Sequence, residues 1–175
     1  LIDGIDIAQI DPADLRKGIS YVPQDIHLFG GTIKQNILGI HKFIDDEWML
    51  ECSKISGTDE FVRMHPAGYD MPLGERGAGL SGGQRQSVGI ARALINNSDI
   101  WMFDEPTNAM DQTSESIVLN NLMSKVEGKT LLLVTQKMSM VDLVDRIIVM
   151  NFGSKVLDGP KDEIINKLGN SGEKQ

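Results

Sequence analysis

The 175-residue sequence predicts an α/β fold, a parallel-sheet core with an inserted, mostly helical subdomain. Two observations predict the core. Ile100-Trp101-Met102-Phe103 is an apolar run ending in Asp104-Glu105, which reads as a buried parallel strand whose tip carries charge into a crevice. Residues 130–134 are a second, β-rich apolar run. A third observation predicts the helices: residues 32 to about 95 hold capping residues ahead of apolar positions at helical spacing, with turns at Gly39, Gly57 and Gly68.

The elements follow in order. Leu1-Ile2-Asp3-Gly4-Ile5-Asp6-Ile7 reads as two short strand pieces around an Asp-Gly turn. Asp11 caps a short helix with Pro12 at its first position. Residues 19–22 form a brief strand, and Pro23 forces the chain into a loop holding Gln24. Thr32 caps residues 33–38, and Asp45 or Asp46 caps a helix over 47–56 whose apolar positions include Trp48, Met49 and Ile55. Ser81 caps a helix reaching about residue 95, with Val88, Ala91, Leu94 and Ile95 available for packing. Asn96-Asn97-Ser98-Asp99 turns into the strand 100–105. Asp111 caps a helix over 113–126, and the strand 130–134 follows. A short helix over 138–143 precedes two strands, 146–150 and 155–157, joined through Asn151-Phe152-Gly153. Gly159-Pro160 opens a closing helix over 161–168, and the tail 169–175 lacks apolar anchors and is expected to be mobile.

Composition bounds the function. A net charge of -8 and a pI near 4.8 argue against a broad nucleic-acid-binding surface. One cysteine, Cys52, rules out an intrachain disulfide framework and is expected to be buried rather than reactive. No apolar run reaches the ~18 residues of a membrane span, and no signal peptide is visible. His27, His41 and His65 lack metal-ligand spacing and read as ordinary polar residues. Met138 and Met140 read as packing or interface residues. There is no internal repeat or low-complexity block. The chain opens on Leu1, directly in a strand-turn, so it reads as a fragment.

The chemistry concentrates between residues 80 and 105. Leu80-Ser81-Gly82-Gly83-Gln84 is a loop and helix N-terminus: Ser81 can cap, and two glycines let backbone approach a ligand. The unpaired N–H groups and partial positive charge of a first helical turn suit a phosphate. With Asp104 and Glu105 at a strand end, the combination implies phosphate and metal chemistry.

These residues resemble a known family. Leu80 to Gln84 matches letter for letter the signature motif of the ATP-binding cassette (ABC) ATPases, whose core is P-loop NTPase-like. Ile100 to Glu105 resembles their Walker B strand, and Tyr21-Val22-Pro23-Gln24-Asp25 resembles their Q-loop. The motifs stand in the family's order, and the resemblance covers nearly the whole chain. Leu73-Gly74-Glu75-Arg76-Gly77 is similar to the exporter-type segment that contacts the intracellular loops of transmembrane domains. Thr107-Asn108-Ala109-Met110-Asp111 stands at the D-loop, with Asn108 and Met110 where the family more often has Ser and Leu.

The resemblance implies the C-terminal portion of one nucleotide-binding domain, with residues 25–95 as helical subdomain and 1–24 and 96–168 as α/β core. It implies ATP and Mg²⁺. Gln24, Leu80, Ser81, Gly82, Gly83, Gln84 and Asp111 would contact nucleotide, Asp104 and Gln24 the metal, and Glu105 would be the general base toward water. Arg85 and Arg92 read as structural or solvated rather than as phosphate ligands. Gln136, in Thr135-Gln136-Lys137, replaces the usual switch histidine; it can donate through its amide but carries no proton charge, so hydrolysis is expected to survive at a reduced or altered rate.

The implied partners are a second nucleotide-binding domain, head to tail, and a transmembrane domain fused or associated upstream, with no nucleic acid. The implied parent is an exporter resembling the type I secretion and bacteriocin-export group. It would move a peptide or protein from the cytoplasmic face of a bacterial inner membrane. Two rivals stay open: a module that clamps nucleotide with little turnover, and a soluble, non-transport ABC ATPase. The Gly-x-x-x-x-Gly-Lys-[Ser/Thr] phosphate loop does not occur in the 175 residues, so the chain by itself is expected to bind ATP poorly and to be inactive.

Overall fold

In the computed structural model, which describes residues 1–41 and 44–172, the chain forms two units, Leu1–Val134 and Thr135–Gln175. The first begins with Asp3 and Gly4 in left-handed conformation, which brings Ile2 and Ile5 into a single antiparallel bridge. Ile7 is not in a strand as expected. The Asp6 carboxylate accepts from the Ala8 N–H and starts a 3-10 turn, Ile7–Gln9.

Helix α1 (Pro12–Gly18) is capped by Asp11, whose Oδ1 accepts from the Ala13 N–H at 2.7 Å. It leads into β1 (Ile19–Val22). A two-residue strand β2 (Gly31–Thr32) precedes α2 (Ile33–Leu38), where Thr32 and Gln35 form a reciprocal capping box. Asp45, not Asp46, caps α3 (Asp46–Ile55), and Gly57 in left-handed conformation starts α4 (Thr58–Val62). Strand β3 (Pro72–Leu73) pairs antiparallel with β2. There follow α5 (Gly82–Leu94), β4 (Ile100–Asp104), α6 (Gln112–Met123) and β5 (Thr130–Val134). Helix α6 stops three residues short of the expected 126, where the Ser124 hydroxyl turns back to the Asn121 carbonyl.

The core sheet is parallel, in the order β1-β4-β5, with Ile19 opposite Ile100 and Asp104 opposite Val134. On one face of β4, Trp101 and Phe103 are buried and stacked, with centroids 5.6 Å apart; the other face is half-buried. Helix α5 packs on β1 and on α2, α3 and α4, with Val88, Ile90, Ala91 and Leu94 buried. A buried relay anchors it, Ser98 donating to Ser20 and Ser20 to the Ala93 carbonyl at 2.6 Å. Gly89 lets the loop after β1 lie directly on α5, because a Cβ there would meet Ile26 Cδ1 at 2.5 Å.

Arg92 of α5 ties the loop after β1 to α2. Its Nε donates to the Asn36 carbonyl at 2.7 Å, Nη1 to the His27 carbonyl at 2.9 Å, and Nη2 to Asn36 Oδ1 at 2.8 Å. The guanidinium also sits 5.6 Å from the Phe29 ring centroid. Arg92 and Arg85, which donates to the Leu80 carbonyl at 2.7 Å, are therefore structural, as expected. Cys52 is fully buried on α3, and burial pushes its thiol up to about 12, so it is unreactive.

In the second unit a 3-10 helix, Met138–Leu143, is followed by the antiparallel hairpin β6 (Arg146–Asn151) and β7 (Ser154–Pro160). Both strands are longer than expected, because Phe152 and Gly153 both take positive φ and close a two-residue turn. Pro160 ends β7 rather than opening the last helix, α7 (Lys161–Gly172), which runs past the expected 168. Of the tail expected to be mobile, residues 169–172 are helical and 173–175 lie outside the described residues. Met140 is buried, whereas Met138 is exposed.

Candidate functional site

Helix α5 starts through local chemistry alone. The Ser81 hydroxyl accepts from the Gln84 N–H at 3.1 Å, and Gln84 Oε1 accepts from the Ser81 N–H at 3.0 Å. This box leaves the Gly82 and Gly83 N–H groups, the first two of the helix, unused by the cap. Leu80 is buried, and its carbonyl holds Arg85.

The two glycines have a packing role that the sequence did not reveal. A Cβ on Gly82 would meet Ala109 Cβ at 3.0 Å, and one on Gly83 would meet the Ala109 carbonyl at 3.1 Å. The segment after β4 therefore rests against the bare start of α5.

That segment is held from several sides. The chain leaves β4 at half-buried Asp104, and buried Glu105 adopts a left-handed backbone with φ 45°. The Glu105 N–H donates to the Val134 carbonyl at 2.9 Å, and its carbonyl accepts from the Asn108 N–H at 3.2 Å. The same carbonyl accepts from Gln86 Nε2 at 3.3 Å, while Gln86 Oε1 accepts from the Ala109 N–H at 2.7 Å. Gln86 is buried on α5, one turn before Ile90, and its single amide joins both ends of the 105–109 turn to the helix. The sequence reading did not single it out. The available signal was a polar residue on the same helical face as Ile90 and Leu94.

Asp111 closes the segment by capping α6. Its Oδ1 accepts from the Thr113 and Ser114 N–H groups, both at 3.0 Å, and its Oδ2 from the Ser114 hydroxyl at 2.7 Å. The Ser114 N–H and hydroxyl, together with the Thr113 N–H, hold its carboxyl below the ordinary carboxylate range.

Two concavities flank the start of α5. One, of about 390 Å³, is lined by residues 81–84, Ala109, Asp111 and Ser114, and by Glu60 and Phe61 of α4. The other, of about 490 Å³, is lined by Gln24, Arg76, Gly82, Arg85, Gln86 and Ala109. The first unit thus brings the start of α5, the Gln24 loop and the 105–111 segment together. Gln136 belongs to the second unit, where it is exposed just after β5.

Comparison with known proteins gives a consistent picture. A family model described as "ABC transporter" matches residues 1–108. Leukotoxin translocation ATP-binding protein LktB of Mannheimia glucosida is 42% identical over 165 residues, which is 94% of this chain and 23% of that protein. The same-named protein of Bibersteinia trehalosi is similar to the same extent. Among solved structures, that of a bacterial Atm1-family ABC exporter with ATP bound superposes with a TM-score of 0.89 at 33% identity. That match covers 95% of this chain and 30% of the solved one, so the chain spans about a quarter to a third of the length of these relatives.

Proposed function

The chain belongs to the ABC transporter family, and from that premise we propose that it forms the ATP-hydrolysing part of an exporter that moves a peptide or protein across a bacterial inner membrane. The observation that carries this reading is the meeting of two motifs in one unit. The Asp104-Glu105 tip of β4 continues into a turn that rests on the glycines at the start of α5. Similarity to ATP-binding proteins named for leukotoxin translocation supports the substrate class. The site works at the cytoplasmic face of the membrane, beside the exporter's membrane domain.

The donor chemistry fits the family's cofactor. The Asp104 carboxylate and the Gln24 amide oxygen are hard oxygen ligands of the kind Mg²⁺ takes, and bound Mg²⁺ would neutralise phosphate charge. Glu105, on the same strand tip, accepts the proton of the attacking water as general base. The Gly82 and Gly83 N–H groups donate to phosphate oxygens, flanked by Ser81 and Gln84, while Leu80 acts through backbone position. These groups serve nucleotide held mainly by a second copy, so two domains associate head to tail, with Asp111 beside the shared site. Gln136 stands at the sequence position where this family more often has a histidine, and its amide can donate a hydrogen bond but carries no proton charge.

The test is steady-state ATP turnover by the full-length transporter, the Glu105→Gln variant and the Gln136→His variant. Glu105→Gln is expected to lower kcat by roughly 100-fold or more while ATP binding persists. Gln136→His is expected to change kcat by several-fold. A parent that binds ATP without turnover would replace this reading with a nucleotide clamp.

A further inference from the structure

The amide of Gln86 lies in the helix that presents residues 81–84, yet both of its hydrogen bonds reach the turn that carries Glu105. Backbone atoms fix its orientation, since only its oxygen can accept from the Ala109 N–H at 2.7 Å and only its nitrogen can donate to the Glu105 carbonyl at 3.3 Å. The residue it holds is conformationally unusual. Glu105 has φ 45°, a region that an L-residue with a side chain keeps only when its surroundings impose it. Bonds from Glu105 to Val134 of β5, from Asn108 to Glu105, and from Gln86 to Glu105 help to impose it, and the last of these comes from a side chain of α5.

We propose that Gln86 is a positioning residue for ATP hydrolysis, which holds the Glu105 carboxylate in its reactive orientation and couples it to the start of α5. The inference rests on the hydrolytic reading above. Through Gln86 a displacement of α5 reaches the Glu105 backbone directly, and the other end of the same amide moves Ala109, which touches Gly82 and Gly83. In a head-to-tail pair, the helix end that contacts one nucleotide is thereby tied to the general base acting on the other.

The experiment is ATPase kinetics on the full-length transporter with Gln86→Met and Gln86→Glu, both close to Gln in size, each checked by thermal melting. Methionine removes both bonds; glutamate keeps the acceptor for Ala109 and sets a carboxylate oxygen against the Glu105 carbonyl. Ser20→Ala serves as the control, because it removes a buried tether of the same helix that does not reach the turn.

We expect kcat to fall roughly 10- to 100-fold in both Gln86 variants, with KM for ATP within about twofold of the parent. Ser20→Ala is expected to leave both constants within about twofold. Glu105-dependent turnover that either Gln86 variant leaves within about twofold, or an equal loss of kcat in Ser20→Ala, overturns this inference alone. A parent without Glu105-dependent turnover overturns the hydrolytic reading and this inference with it.

Discussion

At Asp111, a carboxylate exposed to water accepts three hydrogen bonds from the first turn of α6, which hold it ionised. Its pKa in the fold lies below that of the unfolded chain. The stabilisation is therefore fully present above the unfolded value and is lost as pH falls through the folded value. Asp111→Ala should melt below the parent at neutral pH, and the two melting curves should converge in acid below the ordinary carboxylate range. A gap that acid leaves unchanged would contradict the assignment. Caps of this kind are legible in the sequence: Asp11, Thr32, Ser81 and Asp111 each precede a helical pattern and accept an N–H of the first turn, and of the two candidates Asp45 and Asp46 it is Asp45 that does so. Gln86 was not legible, because its partners are backbone atoms at residues 105 and 109, and no local pattern marks a bond that spans so much chain. In the sequence Gly82 and Gly83 read as openings for a ligand, whereas their contact with Ala109 depends on the fold.

Among the elements, α5 does the most to set the site, because it packs on β1, α2, α3 and α4 and carries both Gln86 and Arg92. Arg92 donates to the Asn36 and His27 carbonyls and shares the Asn36 amide oxygen with the Phe29 N–H, so removing it takes a charged donor from the half-buried Asn36 carbonyl and loosens the tie between α2, α5 and the loop after β1. Arg92→Met should cost about 2 kcal/mol in urea unfolding, and Arg92→Lys should recover only part of that, because an ammonium lacks the fork. A loss under about 1 kcal/mol for Arg92→Met would contradict the role of this tether. Long periodic elements were readable from the sequence, as α3, α5, β4 and β5 fall within a few residues of their expected bounds. The two-residue ladder of β2 with β3 was not, since a pair so short has no period and is defined by its partner. Helix α4 was missed for a related reason: Gly57 reads as a turn, and it is also the residue whose left-handed backbone starts the helix.

Across the whole molecule, the family was readable because its motifs are local strings that survive in order, whereas the way they meet depends on the parallel sheet. β4 places Asp104 and Glu105 at its C-terminal end, where parallel α/β sheets bind ligands, and α5 delivers its N-terminus against the segment that follows. In the proposed head-to-tail pair, each hydrolytic site would join the Asp104-Glu105 tip of one copy to the Ser81 helix end of another. ATP turnover by dual-tagged dimers of the full-length transporter carrying Glu105→Gln and Ser81→Arg distinguishes this pairing from sites built within one copy. With the two substitutions on different copies, the account gives one site both defects and leaves the other intact, so turnover should persist at about half the parental rate. With both on one copy and the second copy unaltered, each site carries one defect and turnover should be lost. The opposite pattern, activity only when both substitutions share a copy, would contradict the account.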